Sequence, residues 1–153
     1  MRKSIAFLLC TIILCGMITQ TSHAAAVETV QTTSIEPLSD GITIETTLTI
    51  HQSLLRNNSK RAALESVYKD NGTIIATVTL DATFGYDGTT AWVVSASASH
   101  WVASGWSYES QSLSTTGSTA RVTATLKKWL LFISIASVPV DISLKCSPNG
   151  TIS

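Results

Sequence analysis

The feature that most constrains the fold of this chain is an alternation of apolar and polar residues with a period of two. Its clearest run extends from Ile74 to Tyr86, where every second residue is apolar or aromatic and the residues between are mostly polar. Successive side chains of a strand point to opposite faces, so this pattern predicts a strand with one buried and one solvated face. Shorter runs of the same kind predict further strands at 42–51, 120–126 and 138–146.

Turn signals separate these runs. Asn71-Gly72 and Asp87-Gly88 each follow a predicted strand, and such pairs supply the positive φ angles of tight hairpins. Four residues of the strand after the second turn share the inward parity: Trp92, Val94, Ala96 and Ala98. Seven or eight strands with little helical periodicity predict an all-β fold, an immunoglobulin-like sandwich of two antiparallel sheets.

The N-terminal sequence predicts that the protein is exported. Arg2 and Lys3 precede an apolar run from Ile5 to Ile18, which has the length of a signal-peptide core and is too short for a membrane span. Small residues at Ser22 and Ala24 are those a signal peptidase reads before its cut. We therefore expect a secreted, extracellular protein without a stable membrane anchor.

Cleavage is expected between Ala24 and Ala25, with a cut after Ala26 as the alternative. The chain then divides into a signal peptide at 1–24, a flexible lead-in at 25–40 without a sustained period, and one β-sandwich domain at 41–153. Cleavage leaves eight basic against ten acidic residues. Such a near-neutral surface argues against nucleic acid as a partner and against electrostatic attachment to anionic lipid.

The expected cleavage also removes two of the three cysteines. Cys10 and Cys15 leave with the signal peptide, so Cys146 remains alone and has no partner for an intramolecular disulfide. Cys146 shares the parity of the apolar residues in its predicted strand. We expect a buried free thiol.

Three segments carry a resemblance: Ala82-Thr83-Phe84-Gly85-Tyr86-Asp87-Gly88, Gly105-Trp106-Ser107-Tyr108 and Ser143-Leu144-Lys145-Cys146. Together they resemble a group of small secreted β-rich proteins of Gram-positive bacteria with no established function. The resemblance covers roughly residues 60 to 150 and implies an extracellular β-rich domain, but it transfers no catalytic residue. It also implies a second cysteine after the Asp-Gly turn, where this chain has Val93 and Val94.

Residues able to perform chemistry are few. His51 and His100 are the histidines left after cleavage, and a structural zinc site needs about four Cys and His ligands. We therefore predict no metal, no cofactor and no enzymatic activity. A small secreted hydrolase remains an alternative if Asp81, Asp87 and Glu109 converge in space as paired carboxylates.

Aromatic and apolar residues are the stronger candidates for an interaction site. Trp101 is expected in a loop that leads to Trp106, and loop tryptophans can stack on sugars or anchor a partner. The run from Trp129 to Ala136 is predicted to be a strand that is apolar on both faces, so it should be covered on both, either by the N-terminal segment of the mature chain itself, which we favour, or by a second copy or a binding partner. In that strand Trp129, Leu131 and Ile133 point outward, with Leu130 and Phe132 inward.

The function we expect is a non-enzymatic extracellular binding or interaction module. Its candidate partners are a cell-wall or host glycan, a protein, or a second copy of the chain in a homodimer. The alternative is a membrane-active secreted effector or toxin-related protein that meets lipid through the strand beginning at Trp129.

Overall fold

The computed structural model describes residues 27–39, 41–53 and 58–153, and all regular secondary structure in these ranges is β. The expected signal peptide and its cleavage site at Ala24 and Ala25 lie outside the described residues. There are eight described strands: β1 (Val27–Ser39), β2 (Ile42–Ser53), β3 (Ser59–Asp70), β4 (Thr73–Tyr86), β5 (Ala91–Val102), β6 (Trp106–Thr116), β7 (Thr119–Leu130) and β8 (Ile133–Lys145).

The strands form two antiparallel sheets, which confirms the predicted sandwich class. One sheet has the order β1-β2-β3-β4-β5 and the other has the order β6-β7-β8. Every strand therefore pairs only with its neighbours in the chain. Immunoglobulin domains share the two-sheet architecture but use Greek-key connections.

The core lies where β3, β4 and β5 face the three-stranded sheet. The predicted inward parity is confirmed in β4 from Ala76 to Phe84, in β7 from Ala120 to Leu126 and in β8 from Val138 to Leu144. The largest buried side chains are Tyr68, Leu80 and Phe84 from one sheet and Leu126 and Leu144 from the other. Pro139 was expected in an edge strand or at a bulge, and it lies in β8, an edge strand.

The region predicted as a flexible lead-in is instead mostly strand. Residues 27–39 form β1, which pairs with β2 from Val27 opposite Ser53 to Ser39 opposite Ile42. Residues 29–38 are exposed on both faces of this strand. A strand with two solvated faces needs no alternation of apolar residues, so its sequence carries no period to detect.

The predicted parity of β5 is wrong in its first half, because a bulge interrupts the pairing with β4. Phe84 lies opposite Val93, and Thr83 lies opposite Ser95, so Val94 is the extra residue. Val93 is half-buried against the core, whereas Trp92 and Val94 are exposed. Ala96 and Ala98 beyond the bulge do pack against the core, as predicted.

The run from Trp129 to Ala136 is a hairpin and not the single strand that was predicted. β7 ends at Leu130, β8 begins at Ile133, and Leu131 and Phe132 form a two-residue turn between them. Leu130 and Phe132 do not point into the core, since both are exposed. No Gly, Asn or Asp marks this turn, which is why the sequence pattern concealed it.

Candidate interaction site

The β7–β8 hairpin projects a cluster of large apolar side chains into solvent. We call residues 129–135 the hairpin tip. Its two turn residues are almost fully exposed, at 87% for Leu131 and 95% for Phe132. The other exposed large apolar residues of the tip are Trp129, Leu130, Ile133 and Ile135.

The turn holds Leu131 in an unfavourable backbone conformation. Leu131 has a φ of +55°, and it occupies the first turn position between the paired residues Leu130 and Ile133. Glycine normally fills a left-handed position in a two-residue hairpin loop, since a side chain there costs about 1–2 kcal/mol. The chain therefore carries an apolar side chain at the apex at the expense of local stability.

A polar network holds Trp129 at the base of the tip. Its indole Nε1 donates a hydrogen bond to Oγ of Ser107 at 2.8 Å, and that hydroxyl donates to Glu109 at 2.8 Å. Lys127 Nζ lies 2.7 Å from the Glu109 carboxylate and 5.9 Å from the centroid of the Trp129 ring. Hydrogen bonds from Lys127 and Ser107 lower the pKa of Glu109, so this carboxylate stays ionised at neutral pH.

A second aromatic and charged group lies beside the base of the tip. Lys128 Nζ is 5.5 Å from the ring centroid of Trp106 and 3.0 Å from the Asp70 carboxylate. Two open clefts of about 300 and 250 Å³ share Trp106, Lys128 and Asp70 in their linings, and the smaller one also reaches Ile135. Both lysines that precede Trp129 are therefore ion-paired.

The structure brings four of the five predicted interaction residues to one region. Trp129, Leu131 and Ile133 belong to the tip, and Trp106 lies at its base. Trp101 is separate: it lies within β5 and not in a loop, on the outer face of the five-stranded sheet opposite Thr77, and 55% of its surface is exposed.

The tip also contains residues that the sequence reasoning missed. Leu130 and Phe132 were placed in the core, and Ile135 was not singled out. The available signal was the pair Lys127-Lys128 followed by five large apolar residues, from Trp129 to Ile133, without the alternation of a half-buried strand.

The three carboxylates of the hydrolase alternative do not converge. Asp81 lies on the outer face of the five-stranded sheet and is paired with Arg61 at 2.6 Å. Glu109 lies on the outer face of the other sheet, and Asp87 accepts hydrogen bonds within its own turn from the backbone N–H groups of Thr89 and Thr90. No acid–base pair forms from these residues.

The histidines and the cysteine are likewise apart from one another. His51 lies 3.4 Å from the hydroxyl of Thr29, and the His100 ring stacks on Tyr108 with centroids 3.9 Å apart. Cys146 is 1% exposed, as the parity predicted, and burial raises the pKa of its thiol. Within the described ranges, no group of three or more His, Cys, Asp or Glu residues is arranged to hold a metal ion.

Comparison with known proteins yields no relative. No family model matches the chain, and no curated protein or solved structure matches it significantly. In the part of the chain that the structure describes, no helix has the length and apolar character needed to cross a membrane.

Proposed function

We propose that the chain is an exported, non-enzymatic binding module and that it attaches to its partner through the hairpin tip. The observation that carries this proposal is the contiguous exposure of six large apolar residues at 129–135. Soluble monomeric proteins rarely expose a contiguous apolar patch of this kind outside an interaction site. Burying one such side chain stabilises a complex by roughly 1.5–3 kcal/mol.

The sandwich supports the base of the tip. β7 is the central strand of its sheet, so the tip extends from a strand that is paired on both sides up to Lys128. The hydrogen bond to Ser107 further orients the Trp129 indole. A preordered site loses less conformational entropy on binding than a flexible loop does.

Export is supported by the N-terminal sequence, in which Arg2 and Lys3 precede an apolar run from Ile5 to Ile18. A cut between Ala24 and Ala25 would remove this segment and leave all eight described strands in the exported chain. It would also leave Cys146 as the single cysteine, buried where it cannot form a disulfide with another chain.

Co-sedimentation with insoluble material tests the proposal. The protein recovered from the medium of a secreting host is mixed with whole cells, purified cell walls and insoluble polysaccharides. Phe132→Asp removes the most exposed apolar side chain of the tip, and Ser114→Asp adds the same charge at an exposed position near the other end of the three-stranded sheet. We expect binding to be lost in Phe132→Asp and retained in Ser114→Asp; equal binding of the two variants would contradict the proposal.

Trp101 supports a second candidate function, adhesion to glycans. It lies on the outer face of β5, which also presents Ser95, Ser97 and Ser99, so an exposed indole shares this face with hydroxyl groups suited to a sugar. In the same assay, loss of polysaccharide binding in Trp101→Ala, with Phe132→Asp unaffected, would assign the attachment to this face.

A further inference from the structure

We infer that the partner of the hairpin tip is the surface of a lipid bilayer, into which the tip inserts to a shallow depth. This inference rests on the proposed function and names the class of partner. Four properties of the tip carry it: its shape, the order of its residues, its unpaired backbone edges and its local charge.

The shape of the tip suits a fluid apolar medium. Leu131 and Phe132 form a convex apex, and exposed apolar side chains follow on both arms of the hairpin. A protein partner would need a concave surface whose shape matches this apex. Hydrocarbon chains can pack around a convex wedge without such a pocket, because they adapt their own conformation to it.

The order of residues along β7 follows the layers of a bilayer leaflet. The apex is aliphatic and aromatic, Trp129 comes next, and Lys127 and Lys128 lie farther from the apex. Tryptophan concentrates at the boundary between headgroups and hydrocarbon, and charged side chains stay in the headgroup layer or in water. At ~3.3 Å per residue, the turn formed by Leu131 and Phe132 lies roughly 7 Å beyond Trp129, within the depth at which interfacial anchors are buried.

Backbone hydrogen bonding limits how deep the tip can go. The Trp129 N–H donates to the Gly105 carbonyl at 2.8 Å, and β6, the neighbour of β7, starts at Trp106 opposite Lys128. Beyond Trp129 the hairpin has no described strand beside either arm. Its outward backbone groups need water or headgroups as partners, which excludes crossing the hydrocarbon core.

The charge at the base of the tip favours a zwitterionic surface. Lys127 is paired with Glu109, and Lys128 is paired with Asp70. The two lysines therefore add no net local charge to attract anionic lipid. Attachment to lipid should depend on the apolar apex and change little with salt.

Flotation with phosphatidylcholine vesicles tests the inference. The full chain is expressed in a secreting host, the folded protein is purified from the medium, and flotation is measured at low and at high salt. We expect the wild-type protein to float at both salt concentrations, and we expect the vesicle affinity of Phe132→Asp to fall by about tenfold or more. Ser114→Asp is the matched control and should float like the wild type. Circular dichroism verifies that each variant is folded.

A depth measurement accompanies the flotation. Lipids brominated near the headgroup end of their chains should quench the tryptophan fluorescence of the wild-type protein, and Trp129→Phe should remove most of this quenching. A dye trapped in the vesicles should stay inside. Release of the dye on binding would overturn shallow insertion.

Other outcomes separate this inference from the proposed function. If the folded protein does not float, or floats only on anionic vesicles at low salt, the lipid inference is wrong. If Phe132→Asp still loses binding to cells or cell walls, the binding module stands and its partner is a protein or a glycan. A dimer of the wild-type protein in light scattering that Phe132→Asp dissociates would instead identify a second copy as the partner.

Discussion

The indole of Trp92 lies across the backbone of Gly85, its cross-strand neighbour in the five-stranded sheet. A Cβ atom added to Gly85 would lie only 2.6 Å from Nε1 of this ring. Gly85 is buried although it lies next to an exposed tryptophan. The ring therefore shields a stretch of backbone that has no side chain of its own, an arrangement known to compensate for glycine in sheets.

This contact predicts that the effect of Gly85→Ala changes sign with the residue at position 92. In the wild-type background the new methyl group displaces the indole, and the free energy of unfolding should fall by about 1–3 kcal/mol. In a Trp92→Ala background the space is open, and the same change should raise the free energy of unfolding by about 0.5 kcal/mol, because alanine has less freedom in the unfolded chain. Urea unfolding of the four proteins measures both values. Equal effects in the two backgrounds would show that the ring does not pack on Gly85.

The strained turn predicts a conflict between stability and binding at Leu131. Leu131→Gly relieves the positive φ, so the free energy of unfolding should rise by about 0.5–1 kcal/mol. The same change removes an apolar side chain from the apex, so binding through the tip should weaken. Thermal unfolding and the co-sedimentation assay measure the two effects. A less stable Leu131→Gly variant would mean that the leucine side chain contributes to folding and is not displayed for a partner.

The buried position of Cys146 predicts slow labelling in the folded protein. The thiol is enclosed and burial raises its pKa, so a disulfide reagent should react about a hundredfold or more slowly than with an exposed thiol. The control is Cys146→Ala combined with Ser153→Cys, which places the one thiol at an exposed position. Labelling at equal rates before denaturation would rule out burial, and equal rates after denaturation are expected.

Alkaline pH should destabilise the fold. Burial raises the pKa values of Cys146 and Tyr68, and that of the partly buried Tyr108. The folded state therefore keeps these protons at pH values where the unfolded chain has lost them, and stability decreases as pH rises. The decrease should begin above about pH 8.5 for the thiol and above about pH 10 for the tyrosines. Urea unfolding across this range should show a shallower decrease in Tyr68→Phe, and a flat profile in the wild type would contradict the assignment.

The strands of the core were predictable from local sequence, because a buried face must repeat every second residue. Leu80 and Leu144 alternate with polar neighbours. The Asn71-Gly72 pair predicts a turn, and the two residues have φ angles of +48° and +83° in the structure. Cys146 could be placed in the core by the same parity. These features depend on residues within one strand or one turn.

The features that were missed depend on contacts between strands. β1 has both faces exposed and is held by its pairing with β2, so no period in its own sequence marks it. The bulge at Val94 reverses the parity of Trp92, and the shielding of Gly85 becomes visible only when the two strands are paired.

Periodicity and turn chemistry in the sequence are enough to predict the all-β class, the inward face of most core strands and the burial of Cys146. Tertiary contacts were needed to show that Leu131 and Phe132 form an exposed turn and that Lys127 and Lys128 are neutralised at its base. A run of apolar residues has the same sequence pattern whether it lies in a buried strand or on an exposed hairpin. The difference lies in the neighbouring strand β6, which reaches only to Trp106, opposite Lys128, and so leaves the apex uncovered.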